Sequence, residues 1–83
     1  MVGVMAPKIV KEGGIEFWIY PKETGLESPH VHVHVGEQMM RINLRTGDFM
    51  DQVPRGKGRA VMRAFHKYQD IIVAAWEEFH GAL

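Results

Sequence analysis

The residue types best suited to chemistry crowd into one run, Pro29-His30-Val31-His32-Val33-His34-Val35. Histidine titrates nearest neutral pH of all side chains, and it serves as general acid, general base and metal ligand. Successive side chains of a β-strand point to opposite faces. Read as a strand, the run sets His30, His32 and His34 on one face and Val31, Val33 and Val35 on the other. The valines need burial. Three histidines in a row do not, so their face is either solvated or used.

Three chemistries compete for that face. The first is metal binding, since His-x-His on a strand directs two rings to one side. His30 and His34 stand about 13 Å apart at roughly 3.3 Å per residue, too far to share one ion readily. Zinc asks for three or four ligands at about 2.0–2.1 Å. A further ligand would have to be Glu16 or come from another chain, and Arg41 opposite His32 would repel a cation. No cofactor is expected, and a divalent metal on His30, His32 and His34 is the weaker alternative. The second is RNA cleavage, with His30 and His32 as acid and base, Arg41 stabilising a phosphorane-like charge, and Tyr20 and Arg45 nearby. The overall balance of ten basic and ten acidic residues works against it, because nucleic-acid affinity depends on phosphate neutralisation. Nucleophile chemistry finds nothing: there is no cysteine, and Ser28 is the single serine. The third is a binding surface that needs no catalysis.

The elements that must position these residues follow from alternation and from turns. Ile15 to Tyr20 alternates and is rich in β-branched and aromatic residues, Val31 to Val35 is the histidine strand, and Met39 to Arg45 alternates again. Phe49 and Met50 begin a short further strand, and Lys8 to Lys11 is a stub able to pair before the first turn. Gly13-Gly14, Gly36-Glu37 and Thr46-Gly47 supply turns where positive φ is easy. A two-residue loop at Gly36-Glu37 pairs Val35 with Gln38, Val33 with Met40 and Val31 with Ile42. The Gly13-Gly14 turn opposes Val10 to Phe17, and Thr46-Gly47 opposes Leu44 to Phe49. Apolar residues then meet apolar residues at all three turns, and a slip by one residue would reverse every face. The face left over carries Glu16, Trp18, Tyr20, His30, His32, His34, Met39, Arg41, Asn43 and Arg45. Of these, Trp18, Tyr20, the three histidines, Arg41, Asn43 and Arg45 form the candidate binding face, since aromatics and arginine are enriched where proteins meet partners.

The C-terminal third reads as helix. Arg55 to Phe79 places Val61, Phe65, Tyr68, Ile72, Ala75 or Trp76, and Phe79 at three-to-four spacing, a stripe able to cover the valine face. Trp76 and Phe79 read as core, and His66 and His80 as surface or capping residues near helix ends. One straight helix of that length would run about 37 Å, against a compact chain roughly 30 Å across. A break or kink is expected near His66 to Gln69, giving two helices or one kinked helix. Pro54, Gly56 and Gly58 mark the start of the first helix and Gly81 the end of the second. The fold class is therefore α+β: an antiparallel meander of three to five strands over residues 7–53 and helices over 55–81 in one domain, with residues 1–6 flexible.

Composition bounds the rest. Eighty-three residues allow one small core and no disulfide framework. No apolar stretch approaches a membrane span, and the start lacks a secretory leader, so a cytoplasmic protein is expected. Charge is segregated. Residues 1–40 carry three basic and five acidic side chains, 41–67 carry seven basic and two acidic, and 68–83 carry three acidic and no lysine or arginine. The basic zone is either a solvated helix face or an attractor of phosphates or an acidic partner.

The ordered elements Gly14 to Tyr20, Pro29-His30-Val31-His32, Ile42 to Asp48, Val53-Pro54 and Trp76 together resemble the small bacterial family known as domain of unknown function 4160. The resemblance spans about residues 7–80. Ser28 stands where the family often has a second proline, and His34 extends the family's histidine pair. The resemblance implies an α+β fold of unknown biochemistry. It also implies a partner encoded nearby, another small protein of the domain of unknown function 2442 family, in an arrangement like a toxin–antitoxin pair.

Overall fold

The computed structural model describes residues 7–21 and 27–83; the expected flexibility of residues 1–6 lies outside them. Strands β1 (Lys8–Glu12), β2 (Ile15–Trp18), β3 (His30–Val35) and β4 (Gln38–Asn43) form one antiparallel sheet in the order β1-β2-β3-β4, followed by helices α1 (Gly58–Lys67) and α2 (Gln69–His80). The meander follows chain order because short glycine turns leave each strand no nearer neighbour than the next. Gly13 and Gly36 both have φ of 61°, and no residue other than glycine takes positive φ among the described residues. Only the first central residue of each two-residue loop is therefore left-handed, the pattern of a Gly-X hairpin turn whose twist matches its strands.

The register is the one that alternation demands. Val35 pairs with Gln38, Val33 with Met40, Val31 with Ile42, and on the other face His34 with Met39, His32 with Arg41 and His30 with Asn43. Val10 pairs with Phe17, with Ile9 as an extra residue in a bulge between Lys8 and Val10. Phe17, Val31, Val33, Val35, Met40, Ile42 and Leu44 are buried on one side of the sheet with Val61, Ala64, Phe65, Ile72 and Trp76 of the helices. The Phe17 and Phe65 rings lie 6.4 Å apart and join the two layers. Each such fully buried side chain contributes about 1.5–3 kcal/mol.

The third turn differs from expectation. Phe49 bridges Ile42 rather than Leu44, and the pairing is an isolated bridge rather than a further hairpin strand. Asn43 is the cause. Its side-chain Oδ1 accepts the backbone N–H of Arg45 at 2.8 Å and of Thr46 at 3.1 Å, while its carbonyl accepts Gly47 N–H at 2.7 Å. The loop thus closes one turn wider, and Leu44 N–H goes back to the Pro29 carbonyl at 2.9 Å.

The helical part breaks at Tyr68, whose N–H donates to both Ala64 and Phe65 carbonyls. α1 begins at Gly58 rather than Arg55, after a turn in which Gly56 has φ of 81°. Gly81, with φ of 95°, ends α2. Phe79 corrects the sequence stripe: it is 39% exposed. The break rotates α2 relative to α1, so a stripe counted through Tyr68 runs off the core before its last member. No described helix is long and apolar enough to cross a membrane.

Gly36→Ala is expected to cost about 1–3 kcal/mol of folding stability, because alanine must hold a sparsely populated backbone conformation there. The φ of Gly36 sets that requirement, since a Cβ would meet no atom within 4 Å. Urea unfolding checks it, and loss within error of zero would mean the turn relaxes to another type.

Candidate functional site

Opposite the valine face lies a ribbon of rings. The register fixes its order, because side chains on alternate positions of β2 and β3 share one face. Trp18 stacks on His34 with centroids 5.2 Å apart and on Tyr20 at 6.3 Å. Tyr20 meets His32 edge-on at 4.4 Å. Such offset and edge contacts add roughly 0.5–1.5 kcal/mol per pair beyond burial. Trp18, Tyr20, His32 and His34 are each half-buried. Met39, paired with His34, is 61% exposed. A cleft of about 150 Å³ lies beside it, lined by His32, Met39, Met40, Arg41 and Asp51.

The edge of the ribbon is charged. The Trp18 indole N–H donates to Glu16 at 3.0 Å, and Lys8 and Lys11 approach the same carboxylate at 3.5 and 3.8 Å. These contacts, the indole first, hold the Glu16 carboxyl below the usual range. Lys8 also sits 5.8 Å from the Trp18 ring centroid, within cation–π reach.

His30 departs from expectation. It lies on the predicted side by register, yet it is 2% exposed. Its ring sits 4.9 Å from His32 and 5.8 Å from Trp76, because α2 is long enough to reach the first residue of β3. Its Nδ1–H donates to the Ser28 carbonyl at 2.8 Å, fixing the approach to β3 around Pro29. His30 is therefore enclosed, unlike Trp18, Tyr20, His32 and His34.

Arg41 is likewise committed. Its Nε and Nη2 donate to the two oxygens of Asp51 at 2.9 Å each, its Nη1 donates to Glu27 at 2.9 Å, and its backbone N–H also reaches Asp51 at 2.9 Å. The guanidinium ties the segment before β3 to the segment after β4. The Asp51 hydrogen bonds push its proton affinity up, and Arg41 holds the Asp51 carboxyl low in turn. A cation already opposed by two carboxylates offers little to a phosphate. Asn43 is consumed by the turn described above, and the exposed Arg45 reaches the Leu83 carbonyl at 3.3 Å. Among the described residues, no three His, Cys, Asp or Glu side chains are grouped to hold a metal ion.

The structure thus brings Trp18, Tyr20, His32 and His34 together and draws His30, Arg41, Asn43 and Arg45 into supporting roles. Reasoning from sequence missed Asp51 and Glu27 as partners of Arg41. It also missed His80, whose Nε2–H donates to the Tyr20 carbonyl at 2.8 Å while its ring stacks on Trp76 at 4.0 Å. The Trp76–His80 pair has the four-residue spacing of helical neighbours and could have been found, whereas nothing local signals the contacts of Arg41 with Asp51 and Glu27 or of His80 with Tyr20.

The family model described as domain of unknown function (DUF4160) matches residues 14–77. The chain belongs to that family. The match takes in the ring ribbon, the Arg41–Asp51 clamp and the helices as far as Trp76, and leaves out β1 and His80. No curated protein and no solved structure matches the chain.

The clamp has a definite pH signature. The folded-state pKa of Asp51 is lowered, so its contribution is present above the ordinary carboxylate range and is lost as pH falls through the folded value. Asp51→Asn is expected to lower stability relative to wild type at pH 7, with the difference shrinking as both proteins are taken below about pH 4. Denaturation of the pair across pH measures it; a pH-independent difference would assign the loss to shape rather than charge.

Proposed function

We propose that this protein is a cytoplasmic protein-binding module whose docking surface is the open ring ribbon of Trp18, Tyr20, His32 and His34 with Met39 at its margin. The observation that carries the reading is the contrast between the two sides of one sheet. One side is closed under two helices, and the other presents aromatic and imidazole rings that already hold one another in place. Pre-stacked rings lose little side-chain freedom on binding, which is why such residues anchor interfaces.

Family resemblance supports the choice of partner: the product of an adjacent gene, of the domain of unknown function 2442 family, in a toxin–antitoxin-like pair. A ribonuclease built on His30, His32 and Arg41 is served less well, since the first is enclosed and the last is clamped by two carboxylates. A histidine metal site is served less well, since His30 is enclosed and the His34 ring is stacked on Trp18.

Co-expression with the adjacent gene product followed by titration tests the proposal. Trp18→Ala is expected to weaken the complex by about 2 kcal/mol, roughly 30-fold in Kd. His34→Ala, which leaves Trp18 stacked on Tyr20, is expected to be milder than His32→Ala. RNA cleavage and metal content are measured on the same folded variants. A histidine variant that folds and binds normally but loses RNA cleavage would replace this reading with the enzymatic one.

A further inference from the structure

Apart from Arg45, which reaches the Leu83 carbonyl, the lysines and arginines among the described residues divide into two groups. Lys8 and Lys11 lie against Glu16, Arg41 against Asp51 and Glu27, and Lys67 against Glu12 at 3.0 Å. Arg55, Lys57, Arg59 and Arg63 are all exposed and make no ion pair among the described residues. They occupy the turn before α1 and its outer face. No acidic residue stands anywhere between Asp51 and Asp70. A neutral total therefore conceals four uncompensated cations within nine consecutive residues, 55–63.

Their placement opposes the helix that carries them. Acidic side chains favour the first turn of a helix and cations disfavour it. α1 has no acidic residue in its first turn and no side-chain cap, and Lys57 and Arg59 stand there instead. A sequence shaped only for stability would place the opposite charge at those positions.

The surroundings distinguish the kind of anion. A protein interface needs an apolar centre. Among the described residues the exposed large apolar side chains are Met39, Ile71 and Phe79, none of them within residues 55–63, and Met39 alone shares a cleft with Arg55. Between the four cations lie Gly56, Gly58, Ala60 and the buried or half-buried Val61 and Met62. Such a surface offers charge and hydrogen-bond donors alone. Arg59 and Arg63 lie one turn apart on the helix, about 6 Å along its axis, and guanidinium forks match phosphate oxygens in pairs. His66 continues the same face one turn further.

We propose that the Arg55–Lys57–Arg59–Arg63 surface binds the phosphodiester backbone of nucleic acid, without reading bases. Lys57, Arg59 and Arg63 lie on the helical layer, while Arg55 shares a cleft with Met39 at the margin of the ring ribbon; the inference does not rest on the protein-binding reading.

Fluorescence anisotropy of the full chain with a labelled mixed-sequence 20-nucleotide single-stranded RNA, and with a duplex DNA of equal length, tests this. Four neutralised phosphates give a log–log salt slope of roughly −2.8 on a single strand and −3.6 on a duplex. Affinity for the RNA is then expected to fall about 50-fold between 50 and 200 mM salt. Arg59→Gln with Arg63→Gln should halve the slope, and the same salt step should then cost only about 7-fold. Lys11→Gln, already paired elsewhere, should leave the slope unchanged. Arg59→Glu should weaken RNA binding while holding or raising Tm, a combination that a purely structural arginine would not give. Absence of binding at 50 mM salt, an unchanged slope in the double variant, or equal competition by poly-glutamate of matched charge would overturn the assignment, the last in favour of an acidic protein.

Discussion

Everything in this molecule depends on how β4 registers against β3. β3 is an inner strand, and its alternate residues are valine and histidine. Pairing Val33 with Met40 places every valine beneath the helices and every histidine on the other side. A shift by one residue would set Met40 and Ile42 among the histidines and Met39 and Arg41 among the valines, at a cost that a domain of this size could not absorb. The two faces are thus a single decision made once, at the Gly36-Glu37 turn, and inherited by β2 and β1.

The rings extend that decision beyond the sheet. His34, Trp18, Tyr20, His32, His30, Trp76 and His80 touch in succession, from the open face to the end of α2. His80 closes the circuit by donating to the Tyr20 carbonyl. The helix that seals the core is therefore also the element that steadies the ribbon. The far end of the same helix is held differently: Tyr68 donates its hydroxyl to Glu12, joined there by Lys67, and the tyrosine hydrogen bond is the main reason the Glu12 carboxyl sits low.

What could be read in the sequence was periodic or short-ranged. Strand faces, the register at Gly36-Glu37, the break near Tyr68 and the end at Gly81 all rest on spacing or on glycine's backbone freedom, and these are written locally. The misjudged features depend on distant partners. Asn43 looked like a face residue because its strand alternates, but its amide is spent on the turn that follows. His30 looked open because nothing in its neighbourhood announces that Trp76 arrives forty-six residues later to cover it. Phe79 kept the stripe's spacing but not its direction, since a one-residue break changes phase. Arg41 was legible as a cation and illegible as a clamp, because Glu27 and Asp51 are defined only once both loops fold toward it.

The bulge at Ile9 has an outcome at the scale of many molecules. On β1 the extra residue spoils the even ladder that another strand would need, and Lys8 and Lys11 flank it. On β4 the segment 48–51 already occupies the edge at Arg41 and Asn43, leaving only the stretch near Met39 uncovered. A sheet with one spoiled edge and one mostly filled edge can receive at most a short strand, and it has no second edge from which to pass that pairing on. The domain can thus keep a ring-lined face at high concentration without polymerising through its backbone.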